Sequence, residues 1–280
     1  MNDDPVHEAV HRAIAEDLGE SSDITTDAIV PSGTRGRAKL IAKQDAVLAG
    51  CEAFELSFRE FDEQIVIEWN AKEGDRVRAG EVVAKVEGEL RAILTAERTA
   101  LNFVQRLSGI ATMTRRFVEA AGGVAVRDTR KTVPGMRVLE KASVRAGGGV
   151  NHRMGLHDAY LIKDNHIAIA GGLTEAIRRA KEAKPGLWIE VECETLDQAR
   201  EALAAGADEL LLDNMDVATL TEAVREAEGR AKTEASGNVT LETIAAIART
   251  GVDSISVGAV THSAPAVDLS LEVEADAPRG

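Results

Sequence analysis

Glu209-Leu210-Leu211-Leu212-Asp213-Asn214, with the helical pattern of residues 217–228 just after it, decides the fold of this chain. A short apolar run stops at a carboxylate and an amide, and an amphipathic helix follows. The same unit recurs along the second half of the sequence. Apolar runs stand at 124–130, 159–163, 187–193, 231–235 and 253–257, and helical patterns stand at 137–146, 173–183, 196–205 and 241–250. Regular strand–helix alternation means parallel strands. The Ala- and Gly-rich joints favour an α/β barrel over an open sheet. Six runs fall short of the eight of a complete barrel, so an incomplete one is expected. Residues 267–273 alternate apolar and polar and are expected to return as a strand to an N-terminal sheet.

Each run delivers a charged or small residue where it stops. These are Arg130 and Lys131, then Lys163 and Asp164, Glu190 and Glu192, Asp213 and Asn214, Glu234 with Ser236 and Gly237, and Gly258. In a parallel barrel the strand ends gather at one mouth, where such barrels place their sites. The loops at 235–238 and 257–259 carry small residues whose backbone N–H groups suit a phosphate. Gly147-Gly148-Gly149 follows a helix instead of opening one, which fits a turn or lid.

Charge points the same way. The chain carries a formal net charge of -14, yet residues 127–163 hold eight Lys or Arg against three acids. Local positive charge inside a polyanion suggests a site for an anionic small molecule. The global acid excess argues against general nucleic-acid binding. No apolar run approaches the length of a membrane span, and the acidic start has no apolar leader segment. Cys51 and Cys193 match no metal spacing, which fits a reduced, cytoplasmic setting.

The first part of the chain is less regular. A helix is expected over residues 6–18, turns and caps over 21–26, and strands over 38–50 and 64–71. Residues 73–88 look like half of a biotinyl or lipoyl carrier module. The second half, with its displayed lysine, is missing, so a plain β-hairpin is the better expectation. A long helix is expected over 95–121, with Thr95 as cap, a kink or break at Ser108-Gly109, and Gly122-Gly123 as its end.

Taken together, these motifs resemble the quinolinate phosphoribosyltransferase family. The likeness is carried by Glu97-Arg98-Thr99, Leu107-Ser108-Gly109-Ile110-Ala111-Thr112, Asp128-Thr129-Arg130-Lys131-Thr132, Asn151-His152-Arg153 and Lys163-Asp164-Asn165-His166. Glu190-Val191-Glu192, Leu212-Asp213-Asn214 and Glu234-Ala235-Ser236-Gly237 complete it. It covers nearly the whole chain in order; Asn238, where a second glycine is common, is a small departure. The resemblance implies an N-terminal open-faced α/β sandwich domain over 1–112, to which 265–280 returns, and an incomplete barrel of about seven strands over 113–264. It implies transfer of phosphoribosyl from phosphoribosyl pyrophosphate to quinolinate with decarboxylation. The products are nicotinate mononucleotide, pyrophosphate and CO2. It implies magnesium with the donor, no organic cofactor, and at least a homodimer with shared active sites. By the same likeness Arg130, His152, Arg153 and Lys163 hold quinolinate, with Thr129 beside them and Arg98 reaching in from a neighbouring subunit. Lys131 faces the pyrophosphate, Glu192 and Asp213 bind ribose hydroxyls or magnesium, and Ser236, Gly237 and Gly258 hold the 5-phosphate. Lys131, Glu192 and Asp213 are the catalytic candidates. Rival expectations are a related phosphoribosyltransferase acting on nicotinate, a paralogue associated with molybdenum transport, and an anion-binding barrel without turnover.

Overall fold

The computed structural model describes residues 4–275. The acidic start at 1–3 and the end of the expected return segment, 276–280, lie outside the described residues. Two compact units emerge. One comprises the chain up to Met113, residues 132–148 and the chain from Ser263; the other comprises 114–131 and 149–262.

The first unit is built on a four-stranded antiparallel sheet. Helix α1 (Pro5–Leu18) opens it. Asp4 caps the helix by accepting the Val6 N–H at 3.0 Å, and Ala9, Val10 and Ile14 are its buried face. The short helix α2 (Ile24–Ile29) is capped by Asp23, within the stretch expected to hold turns and caps; the helix itself was not expected, because six residues are too few to show a helical period. The sheet contains β1 (Arg35–Ala42), β3 (Val66–Trp69), β5 (Val82–Glu89) and β12 (Leu269–Ala275), in the order β12-β1-β5-β3. The return of the C-terminal segment is therefore present, with Leu271 opposite Leu40. Alternation buries Ala38, Leu40, Ala84 and Val86 on one face, and α3 (Cys51–Arg59) supplies Phe54 and Phe58 to the same cluster.

Three local expectations change. Residues 73–88 form no hairpin, since β4 (Arg76–Val77) pairs with β2 (Ala46–Val47) while β5 pairs with β1 and β3. Helix α3 was unforeseen because its cap is not local; the Glu73 carboxylate accepts the N–H groups of Gly50 and Cys51. Helix α4 (Leu90–Ala121) begins before Thr95 and runs unbroken through Ser108-Gly109. Gly109 permits a close approach there, because a Cβ would lie 2.1 Å from the Pro265 carbonyl oxygen.

Helix α5 (Arg137–Ala146) also belongs to the first unit, where Leu139 packs in a cluster with Val10 and Phe103. Residues 132–148 thus leave the span expected for the barrel. Three of the cations counted above, Arg137, Lys141 and Arg145, leave with them.

The second unit holds six parallel strands in the order β6-β11-β10-β9-β8-β7. These are β6 (Ala125–Arg127), β7 (Tyr160–Ile162), β8 (Ile189–Cys193), β9 (Glu209–Asp213), β10 (Lys232–Ser236) and β11 (Ser254–Ser256). Val150 adds a single parallel bridge to Arg127 on the far side of β6. Helices α6 (Asp164–Ala170) and α7 (Leu173–Ala183) both lie between β7 and β8, and α8 (Leu196–Ala205), α9 (Val217–Ala227), α10 (Ile244–Ala248) and α11 (Ala259–His262) follow β8, β9, β10 and β11 in turn. Val191, Leu210, Leu212, Ala235 and Ile255 form one buried apolar set. The residues between them, Glu190, Glu209, Glu234 and Ser254, share the opposite face. That face is concave. Arg127 on β6 donates to Glu209 on β9 at 2.8 Å, although the flat-sheet separation of those strands is about 14 Å.

Candidate active site

The strand ends of the second unit open into a cleft of about 860 Å³. It is lined by Thr129, Arg130, Lys131, His152, Arg153, Lys163, Glu192, Asp213, Ser236, Gly237 and Gly258. These are all the expected site residues except Arg98, which is exposed on α4 in the first unit. Because α4 starts at Leu90, Arg98 lies well inside the helix and not in its first turn. A larger hollow of about 1090 Å³ lies at the strand starts, around Trp188, Lys232 and Asp253. Lys232 and Asp253 are ion-paired with each other there, and no expected site residue lines it.

Two segments bring the cations in. Asp128, fully buried just past β6, accepts the Asn151 side-chain amide at 2.6 Å and the His152 backbone N–H at 2.8 Å. This ties Asn-His-Arg to Asp-Thr-Arg-Lys and explains why the two motifs occur together. The Thr261 hydroxyl donates to the Lys131 carbonyl at 2.8 Å, fixing the backbone under the lysine. Gly258 must be small, since a Cβ there would meet His262 Nε2 at 3.0 Å and the Lys131 stem at 3.4 Å.

Arg130 and Arg153 are the pair that defines the cleft chemically. Each has a buried Nε–H with no protein partner. Arg153 is anchored at one corner by donating to the Ala159 carbonyl at 3.1 Å. Burial, and then the Arg130 charge beside it, lower its pKa below the ordinary value. Two neighbouring guanidiniums with unused donors in a partly buried cleft suit a ligand with carboxylates or phosphates. Lys163 caps α6 and is ion-paired with Glu192 at the end of β8. Its backbone N–H donates to His166 Nδ1 at 2.9 Å. Glu192 and Asp213 end neighbouring strands, a pair of hard oxygen donors of the kind magnesium takes.

Glu190, expected at the mouth, is absent from the cleft lining, whereas Glu234 does line the cleft. Both lie deeper along the same inner face, 3% and 0% exposed. A period of two puts residues two apart on one face but at different depths. There they join a buried network. Arg127 is bonded to Glu209 and Glu234, and the Ser256 hydroxyl donates to Glu234. His152 Nε2 lies 2.8 Å from Glu190, and its Nδ1 accepts the Arg153 N–H at 2.8 Å. That last bond requires an unprotonated Nδ1, so the hydrogen bonds select the neutral Nε2–H tautomer. Burial opposes charging the ring, yet the Glu190 and Glu234 carboxylates outweigh it and raise its pKa above the ordinary value. Burial, then the charge of Glu190, raises the pKa of Glu234. His152, Glu190 and Glu234 present ligand atoms within 4.8 Å of one another, but those atoms already serve bonds inside the network. Arg127 and Glu209 carried no role in the sequence reading; their signal was a charge inside an otherwise apolar strand. Cys193 is fully buried, and burial pushes its thiol up to about 12, so it is a packed core group.

A parallel barrel with a cationic, carboxylate-flanked cleft at its strand ends defines the class of this protein as an α/β-barrel enzyme for anionic small molecules. The chain belongs to the quinolinate phosphoribosyltransferase family, whose N-terminal domain matches residues 23–108 and whose C-terminal domain matches residues 110–272. It is 42% identical over 288 aligned positions to quinolinate phosphoribosyltransferase [decarboxylating] 2, mitochondrial, of Nicotiana glauca, covering 96% of this chain and 82% of that one. It is 42% identical to the probable nicotinate-nucleotide pyrophosphorylase [carboxylating] of Bacillus subtilis, covering 98% and 95%. The solved nicotinate-nucleotide pyrophosphorylase of Francisella tularensis superposes with a TM-score of 0.93 at 41% identity, covering 98% of each chain.

Proposed function

We infer that this chain is a pentosyltransferase that transfers the phosphoribosyl group of phosphoribosyl pyrophosphate to quinolinate, releasing pyrophosphate and CO2 and leaving nicotinate mononucleotide. The observation that carries this reading is the Arg130–Arg153 pair with its unpartnered buried N–H groups, set across one cleft from Glu192 and Asp213. The guanidiniums and Lys163 fit the two carboxylates of quinolinate. Lys131 fits the leaving pyrophosphate. Backbone groups at Ser236, Gly237 and Gly258 fit the 5-phosphate. His152 has protein partners at both ring nitrogens, so it forms part of the cleft wall and orients Arg153.

No protein nucleophile is required. The pyridine nitrogen attacks the anomeric carbon, and the bond to pyrophosphate breaks with its electron pair. Glu192 and Asp213 suit a carbon that gains positive charge as this happens. The positively charged ring then stabilises the electron pair left when the adjacent carboxylate departs as CO2, and that carbon takes a proton. Glu192 and Asp213 would also hold magnesium, which neutralises charge on the donor's pyrophosphate when bound. Lys163 engages Glu192 Oε2, which leaves Oε1 for that role. Arg98 is assigned to the site of a second copy in a homodimer.

The test is isotopic CO2 release from carboxyl-labelled quinolinate. Release is expected only with both the phosphoribosyl donor and magnesium present. Equal turnover of nicotinate would overturn the assignment of the acceptor.

A further inference from the structure

The Asp213 carboxylate is held by a chain of amides. Asn214 Nδ2 donates to Asp213 Oδ2 at 2.6 Å, and Asn238 Nδ2 donates to Asn214 Oδ1 at 3.0 Å. The backbone N–H of Asn214 donates to the Ser236 carbonyl at 2.9 Å. Among the described residues, Asn214 and Asn238 are the two non-glycine residues with positive φ, 53° and 49°. Asparagine is the side chain that tolerates this region best. Between them in space lies Gly237, with φ 95°, where a Cβ would stand 2.3 Å from Asn214 Oδ1. The glycine leaves the room in which the amide sits. All of these residues line the one cleft.

We propose that Asn214 and Asn238 are positioning residues for the phosphoribosyl donor, locking the Asp213 carboxylate to the Ser236–Gly237 loop. This rests on the reading above, in which Asp213 takes the sugar and the loop takes the 5-phosphate. Two physical consequences follow from the bonds. First, Oδ2 is committed to the protein, so Oδ1 is the oxygen offered to the ligand and the carboxylate cannot turn. Second, Asn214 reaches the loop twice, through its backbone to Ser236 and through its side chain to Asn238. The hydroxyls and 5-phosphate of a pentose phosphate are a fixed distance apart. A carboxylate and a phosphate loop held at fixed separation match that ligand and no longer sugar. Asn238 keeps the backbone turn that a glycine would make there and adds the amide. The acceptor cations Arg130 and Arg153 take no part in this chain, so the pair bears on the donor alone.

The test is steady-state kinetics of Asn238→Gly, Asn214→Gly and the double variant with quinolinate, phosphoribosyl pyrophosphate and magnesium. Glycine accepts positive φ, so each single change removes an amide and keeps the turn; melting curves check that the variants fold. The expected result is a loss of about tenfold or more in kcat/KM for the donor, with the KM for quinolinate moved by less than about twofold. Because the two amides act in series, the double variant should be no worse than the poorer single one. Unchanged donor kinetics, an equal rise in both KM values, or additive losses would overturn the proposal. Wild-type protein that failed to turn over quinolinate would overturn the functional reading instead. In that case the donor-induced rise in melting temperature, compared across the same variants, still decides whether the pair positions the donor.

Discussion

His152 Nε2 and the Glu190 carboxylate lie 2.8 Å apart inside the barrel, and Glu190 is 3% exposed. A second carboxylate, Glu234, is 3.8 Å from the same nitrogen. Replacing Glu190 with Ala removes a buried acceptor and leaves a void. It should lower the free energy of unfolding by roughly 2–4 kcal/mol. Glu190→Gln keeps the volume and an acceptor oxygen and relieves repulsion with Glu234, so it should cost less than about 1 kcal/mol. Urea unfolding of the two variants checks this, and equal losses would mean that His152 does not depend on the bond.

Arg153 is expected to act on the acceptor. Arg153→Ala removes one guanidinium from a site for a dianion, at a cost of roughly 2–4 kcal/mol, or about thirtyfold to a thousandfold in kcat/KM for quinolinate. Donor affinity should change much less. A collapse of donor binding in this variant would invert the division of the cleft given above.

Arg98 calls for a different experiment, because it is exposed on α4 and absent from the cleft lining. Arg98→Ala and Lys163→Ala chains, each nearly inactive alone, are mixed and allowed to exchange. If Arg98 serves a second copy, one site of each mixed dimer carries both lesions and the other carries neither. About half the dimers are mixed, so activity should return to roughly a quarter of wild type per site. No recovery, with exchange confirmed independently, would remove Arg98 from the shared site.

Asp253 supplies a pH prediction. Its carboxylate accepts from Lys232 Nζ at 2.6 Å, the Thr233 N–H at 2.9 Å and the Thr233 hydroxyl at 3.1 Å, joining β10 to the start of β11. Burial works against the charge, but these bonds outweigh it and hold the pKa below the ordinary aspartate value. A lowered carboxylate pKa contributes stability that is present above the unfolded value and lost as pH falls through the folded one. Wild type should therefore exceed Asp253→Asn by no more than about 1 kcal/mol at neutral pH, since the pair is partly solvent-screened. The gap should close on acidification below the ordinary aspartate range. Chemical denaturation at a series of pH values measures it, and a gap that widened in acid would contradict the account.

The alternation of runs and helices was legible because each element shows its own period. Helices α5, α7 and α8 fall on the residues expected, five of the six strands fall within the expected runs, and β10 overshoots its run by one residue, to Ser236. The motifs that gather at the cleft were legible because they follow strand ends. Elements held by distant partners were not. Helix α3 depends on Glu73 for its cap, and the continuity of α4 through Gly109 depends on a close approach by Pro265. Glu190 and Glu192 look alike in a linear text; burial separates them, one into the network with His152 and one into the cleft with Lys163.

The sequence by itself determined which residues face apolar neighbours, where strands give way to helices, and which charged residues stand at strand ends. Those properties depend on spacing along the chain, and spacing is local. Only the tertiary structure decided that 132–148 joins the first unit, and that Arg127 on β6 meets Glu209 on β9. It alone also decided that the amides of Asn214 and Asn238 run in series from Asp213 to the loop after Ser236. Those relations depend on sheet curvature and on which side chains lie within about 3 Å of each other after folding, and sequence spacing does not carry that distance.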